Sequence, residues 1–272
     1  MMTKITVVTI TYNAEAVLQR TLDSVLRQTH LSVEHLIIDG ASTDKTVAMA
    51  KAYKQRSDIS YNGHEVIVIS EPDRGIYDAM NKGIKRATGD YIVFMNAGDC
   101  FHSDDTLEHI AMIAESSDDM AGDSAHGLAK PTLPGVIYGD TDIVDGEGQF
   151  LYHRRLTPPR QLTWRSFRNG MRVCHQAFYA RTDIARQTPY DLQYRYSADV
   201  DWCIRVMKKA GKMELPLVNA HEVVADYLEE GTTTRHHRES LKERFHVMCH
   251  HYGRLSTLFM HAWFVVRSVF HR

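Results

Sequence analysis

The sequence predicts an α/β protein built on a mostly parallel sheet flanked by helices. Three observations lead there. Apolar, β-branched runs alternate with segments of helical period through the first hundred residues. The turns between them are short. A chain of 272 residues suffices for one large α/β domain, or one with a C-terminal extension.

Taken in order, Ile5–Ile10 reads as a buried strand, and 14–28 as a helix with Val17, Leu18, Leu22, Val25 and Leu26 on one face. His35–Asp39 is the second strand. Residues 44–53 form the second helix, with Ser42 or Thr43 as its cap. Glu65–Ser70 is a strand, 76–87 a helix stopped by Gly89, and Tyr91–Met95 a strand. Residues 116–134 turn polar and read as a loop. Val136–Tyr138 starts another strand, Gly146-Glu147-Gly148 a hairpin before 149–153, 172–180 a strand, and 198–210 a helix ended by Gly211. One or two helices follow His236. The expected organisation is a catalytic domain over 1–230, with a nucleotide-binding half (1–115) and an acceptor half (135–230), then a helical extension over 231–272.

A net charge of -2 argues against a general nucleic-acid binder. The four cysteines form no CxxC pair, which excludes a zinc ribbon and suits a reducing compartment. The N-terminus lacks a basic segment followed by a long apolar run, and no run reaches the length of a membrane span. The expected location is cytoplasmic.

Ligands of open parallel sheets bind beyond the carboxyl ends of the strands. There the sequence places Thr11-Tyr12-Asn13, Asp39, Asp73, and Asn96 with Asp99. A single Asp is ordinarily a helix or turn cap. Several carboxylates at one edge repel unless a cation or hydrogen-bond donors compensate them. No GxGxxG turn or GxxxxGK[ST] loop is present, so phosphates are expected on a metal, Mn²⁺ or Mg²⁺, rather than in a glycine cradle. Asn96-Ala97-Gly98-Asp99 offers oxygen ligands and a glycine for close approach.

These segments resemble family 2 glycosyltransferases of bacterial surface-polysaccharide synthesis. The resemblance rests on Val8-Thr9-Ile10-Thr11-Tyr12-Asn13, Ile38-Asp39-Gly40-Ala41-Ser42-Thr43-Asp44, the run from Glu71-Pro72-Asp73 to Asn81-Lys82-Gly83, Gly89-Asp90-Tyr91 and Asn96-Ala97-Gly98-Asp99. It implies a GT-A-like nucleotide-diphospho-sugar transferase fold and an inverting, metal-dependent sugar transfer. It also implies a donor pocket of Thr11, Asn13, Asp39, Asp73, Asn81, Lys82 and Asn96, with Asp99 as metal ligand. Asn96 departs from the family's Asp-x-Asp. In Ser197-Ala198-Asp199-Val200-Asp201-Trp202, Asp199 stands at the catalytic base, while Ala198 replaces the first acid of the usual pair. Asp201 and Trp202 would lie on the acceptor side, as would His175 and Gln176 from Cys174-His175-Gln176.

Nine arginines against two acids over 151–195 suit a phosphate-bearing acceptor such as a lipid-linked diphosphate saccharide, or else a solvated basic face. Leu255, Leu258, Phe259, Ala262, Trp263, Val266, Val269 and Phe270 form one helical stripe flanked by Arg254, Arg267 and Arg272. That stripe suits either the membrane interface, on the inner face of the plasma membrane, or core packing. His246 and His250 lack the HExxH context of a zinc site. Thr232-Thr233-Thr234 with His236 reads as a loop closing over the donor. The competing readings are a nucleotide-sugar sensor that has lost catalysis, which the Asn96 and Ala198 departures keep open, and a metal-dependent nucleotidyltransferase, whose Gly-rich basic turn is absent.

Overall fold

The structure, a computed structural model, describes residues 2–119, 133–229 and 237–270. Strands β1 (Ile5–Thr11), β2 (Val33–Asp39), β3 (His64–Ser70) and β4 (Tyr91–Phe94) run parallel in the order β3-β2-β1-β4. Every residue of β1, β2 and β4 is buried, which explains their unbroken apolar runs. Helices α1 (Leu18–Leu26), α2 (Thr46–Ser60) and α3 (Ile76–Arg86) connect them. Parallel pairing brings all four strands' carboxyl ends to one edge.

Beyond β4 the sheet becomes mixed. Strand β5 (Cys100–Phe101) and helix α4 (Thr106–Asp119) lead to β6 (Val136–Val144), β7 (Phe150–His153) and β8 (Phe178–Arg181). After α5 (Thr182–Arg186) and α6 (Ala198–Lys212) comes β9 (Leu217–Leu228). Strand β8 pairs antiparallel with β4 and β6, and β9 pairs parallel with β6. A single nine-stranded sheet therefore runs through both halves. Helices α7 (His237–Tyr252) and α8 (Arg254–Phe270) follow, separated at Gly253, whose φ of +83° breaks the helix.

Several expectations are corrected. The cap of α2 is neither Ser42 nor Thr43: Ser42 is bound to Asp39, and Asp44 accepts the Thr46 N–H instead. Residues 172–177 are not strand, because His175–Ala177 is a 3₁₀ turn and pairing begins at Phe178. Helix α6 continues through Gly211. Residues 116–119 complete α4, while 120–132 lie outside the described residues, as do Thr232-Thr233-Thr234 and His236. Strand β9 escaped the sequence reading because its polar residues interrupt the apolar alternation.

Candidate active site

Asp39 ends β2, buried at 1% exposure. Its carboxylate accepts from Thr11 Oγ1 (3.0 Å), Ser42 Oγ (2.5 Å), the Ser42 N–H (2.9 Å) and Ser70 Oγ (2.7 Å). Burial alone raises its pKa, but the bonds from Ser42, Ser70 and Thr11 outweigh that and hold it below the ordinary carboxylate value. Asn13, in the left-handed region at φ +47°, accepts the Thr43 N–H at 2.9 Å and so ties the end of β1 to the same loop. Asp73 lies against this floor: a Cβ on Gly40 would sit 2.5 Å from Asp73 Oδ2, so the Asp73 carboxylate packs directly on the Gly40 backbone. Asp73 also accepts the Gly75 N–H that opens α3.

Lys82 holds the Asp73 loop from below, donating to the Pro72 carbonyl (2.7 Å) and pairing with Glu71 (3.1 Å). Asn81 is committed elsewhere, because its amide donates to the Tyr190 carbonyl and accepts the Tyr190 N–H. Both residues of the expected donor pocket therefore brace backbone. The exposed ring of Tyr12, beside Gly40, is a neighbour of Asp73 that the sequence reading did not single out.

The turn after β4 carries Asn96 and Asp99. Thr21 of α1 braces it, accepting from the Gly98 N–H and donating to the Asp99 carbonyl (2.7 Å). Gly98 has φ +102°, and a Cβ there would meet Leu228 at 2.7 Å. Asp99, 4% exposed, accepts from Gln176 Nε2 (2.6 Å) and from the Leu228 N–H (3.0 Å). Burial outweighs these two bonds and pushes its carboxyl up to about 6. Asn96 donates to His175 Nε2 at 2.9 Å, and its own Oδ1 is buried without a partner.

His175 turns its other nitrogen toward Asp199 Oδ2, 3.6 Å away. Asp199 also accepts from Tyr77 Oη at 3.3 Å. Burial raises the Asp199 pKa, but His175, Arg244 and the Val200 N–H together lower it below the ordinary value, so the carboxylate is ionised at neutral pH. Asp199 is thus joined through His175 to the turn of Asn96 and Asp99 and through Tyr77 to α3, and Asp73 bonds the Gly75 N–H just before that helix.

Asp201 and Trp202 lie outside these contacts. Two residues along a helix turn the side chain by about 200°. Asp201 therefore faces Arg205 (2.6 Å) and His251 of α7 (2.8 Å). Trp202 is wholly buried, stacked on Tyr190 with ring centroids 4.8 Å apart. Gln176, also wholly buried, donates to Asp99.

Two functional features were not read from the sequence. Glu243 of α7 accepts three consecutive backbone N–H groups, from Arg195, Tyr196 and Ser197, and so fixes the segment that leads into Asp199. Among the described residues, the one grouping of ligand-type side chains tight enough to share an ion is His102, Asp142 and Asp226. Its members come from β6, β9 and the residue after β5, which no local spacing reveals.

The arginine-rich stretch is partly internal. Arg154 donates to the Leu156 and Met171 carbonyls, Arg172 to Thr157, Arg186 to Ala87, and Arg181 pairs with Asp183. Arg155, Arg160, Arg165 and Arg168 are exposed.

With this geometry in place, comparison with known proteins is informative. The family described as "Glycosyl transferase family 2" matches residues 6–184. The chain belongs to this family. A PGL/p-HBAD biosynthesis glycosyltransferase of Mycobacterium bovis is 32% identical over 222 residues, covering 81% of this chain and 75% of that protein. The amylovoran biosynthesis glycosyltransferase AmsB of Erwinia amylovora is 28% identical over 221 residues, covering 78% and 67%. Among solved structures, S. aureus TarS in complex with UDP-GlcNAc aligns with a TM-score of 0.66 at 14% identity, over 96% of this chain and 71% of that one. A mannosyltransferase from Pyrobaculum calidifontis in complex with GDP-Man and Mn2+ aligns at 0.59 and 15%, over 99% and 76%. This glycosyltransferase therefore has the GT-A type α/β fold that the sequence predicts. Among its described residues no helix is long and apolar enough to cross a membrane.

Proposed function

We propose that this chain is an inverting glycosyltransferase. It moves a sugar from a nucleotide-diphosphate sugar to a hydroxyl of a lipid-linked saccharide in surface-polysaccharide synthesis. The relatives named for PGL and amylovoran biosynthesis support the setting, and the UDP-GlcNAc and GDP-Man complexes of structural neighbours support the donor class. The observation that carries the reading is the placement of one ionised carboxylate, Asp199, in contact through His175 with the turn that carries Asn96 and Asp99.

On this reading the base and ribose lie over the β1–β3 floor, with Tyr12 as a stacking face and Asp73 as the carboxylate nearest the nucleoside. Asp39 already accepts four hydrogen bonds, so to meet the ligand it must exchange one hydroxyl partner; otherwise it acts through the loop it braces. The residues at the β4 turn suit a divalent cation. Asn96 Oδ1 is buried and unpartnered, and the Asp99 carboxylate has too few donors to offset its burial. Asp99 and the Asn96 amide oxygen would hold Mn²⁺ or Mg²⁺, which would supply positive charge to offset that of the departing diphosphate. Gln176 and the Leu228 N–H orient the Asp99 carboxylate. Asp199 accepts the proton of the acceptor hydroxyl as its oxygen attacks the anomeric carbon from the face opposite the leaving group. Tyr77 and His175 fix the carboxylate's orientation.

The exposed Leu255, Leu258 and Phe259 of α8 support a peripheral position on the inner face of the plasma membrane, and exposed Arg155, Arg160, Arg165 and Arg168 support contact with acceptor phosphate. The test is a panel of UDP- and GDP-sugars with Mn²⁺ and membrane lipid extract, with released nucleoside diphosphate and glycosylated lipid both measured. Product with inverted anomeric configuration supports the reading. A well-folded protein that binds nucleotide sugars yet forms no product across the panel favours the sensor reading.

A further inference from the structure

We propose, on the glycosyl-transfer reading given above, that Tyr152 of β7 and Glu229, the residue after β9, form a subsite for the acceptor sugar. The Tyr152 ring stacks on the sugar, and the Glu229 carboxylate accepts its hydroxyl hydrogens.

Strand pairing puts both residues at the edge that carries the transfer site. Strand β8 runs antiparallel to both β4 and β6, so β6 points the same way as β1–β4. Its carboxyl end lies at their edge, and the hairpin to β7 rises there. The Glu229 N–H donates to the carbonyl of Val144, the last residue of β6, at 3.0 Å. The residue before it, Leu228, donates its N–H to Asp99 Oδ1. Glu229 therefore starts one residue from the backbone group that holds Asp99.

Register sets the face. Ile143 of β6 pairs with Tyr152 on one side and with Tyr227 on the other, and directly paired residues share a face. Glu229 joins them, because Tyr152 Oη donates to Glu229 Oε1 at 2.7 Å across the intervening strand. Burial pushes the Tyr227 phenol up, and the charges of Asp99 and Asp199 add to the rise, so this face looks toward both carboxylates. Leu151 is the extra residue of a bulge opposite Ile143 and Val144. The bulge turns Phe150 to the other face, where its ring meets His153 with centroids 5.0 Å apart. Tyr152 is left as the hairpin's ring on the transfer-site face, about half exposed.

The platform is held in place before any ligand arrives, which lowers the ordering cost of binding. Arg20 of α1 donates to the Asp145 carbonyl at the hairpin turn (2.8 Å), and Asp145 Oδ1 accepts the N–H groups of Glu147 and Gln149.

Chemistry selects the ligand. An aromatic face beside hydrogen-bonding groups suits a pyranose, which has an apolar C–H face and a rim of hydroxyls. The exposed Glu229 carboxylate accepts hydroxyl hydrogens and repels phosphate, so a neutral sugar fits here and an acceptor phosphate does not.

The test is saturation-transfer NMR on the full chain with the methyl glycosides of glucose, galactose, mannose, rhamnose and N-acetylglucosamine as probes. Nucleotide-sugar binding is followed in parallel by thermal shift. The expected result is binding of at least one glycoside in the millimolar range. Tyr152→Ala and Glu229→Ala each weaken it at least about fivefold, while Tyr152→Phe, which keeps the ring, stays within about threefold. Nucleotide-sugar binding is unchanged in all three variants, whose substitutions lie at exposed positions. Absence of any glycoside signal, or a signal that Tyr152→Ala and Glu229→Ala leave unaltered, overturns the subsite. So does a loss of nucleotide-sugar binding in a well-folded Tyr152→Ala, which would assign the ring to the donor. Glycoside binding that depends on Tyr152, in a chain that transfers sugar from no donor, would sink the glycosyltransferase reading and leave the sugar-binding surface standing.

Discussion

Two buried carboxylates at the same sheet edge have opposite surroundings. Asp39 accepts four hydrogen bonds, and its carboxyl is held low. Asp99 is equally hidden but accepts two, and burial pushes it up to about 6. The β1–β3 floor is electrostatically complete by itself. The turn after β4 is complete only with a cation or a proton. A site that receives a neutral base and ribose on one side and a charged diphosphate on the other is expected to divide this way. Asp199 belongs to neither class, because His175 and Arg244 keep it ionised despite burial.

The largest expected effect concerns Asp199. Asp199→Asn should lower turnover by about 10²–10⁴-fold, while donor-induced thermal stabilisation persists. Near-normal turnover would exclude Asp199 as the base.

Next comes the contrast itself, measured as Tm against pH in chelator. Asp39 is held below its unfolded value, so the stability it contributes is present above about pH 4 and lost as pH falls through its folded pKa. Asp99 is held above its unfolded value, so its ionisation penalty is present above about pH 6 and fades as pH falls toward 4. Asp99→Asn should therefore stabilise the chelated protein at pH 7.5, by on the order of 3 kcal/mol, with the gain roughly halved at pH 5. Asp39→Asn should destabilise it at pH 7.5. Shifts of the same sign in both variants would break the comparison.

A smaller effect is expected from the C-terminal extension. Glu243→Gln weakens three bonds to 195–197 and should lower stability by about 1–2 kcal/mol in urea unfolding, with turnover falling further than donor affinity. Equal loss of both would make Glu243 a stability residue alone. The smallest is Tyr77→Phe, which removes a 3.3 Å bond to Asp199 and should reduce turnover by a few-fold with donor affinity intact.

The extension expected over 231–272 is thus tied into the catalytic half at α7. Besides Glu243, His251 pairs with Asp201, and Tyr252 stacks on Trp164 with centroids 5.5 Å apart. Of the expected apolar stripe, Leu255, Leu258 and Phe259 are exposed. The grip of α7 on α6 was not legible, because each contact joins residues more than forty positions apart.

By itself the sequence determined the strand–helix alternation of the first hundred residues, the carboxylates that end β2 and follow β3 and β4, and the position of Asp199 at the start of α6. These are local properties: period, turn chemistry and strand ends are written within a few residues of each other. Only the tertiary structure decided which carboxylates are already satisfied, that Asn81 and Lys82 brace backbone, that Asp201 faces α7, and that β9 delivers Leu228 to Asp99. Burial and hydrogen bonding depend on partners brought together by folding, and those set the charge of each group.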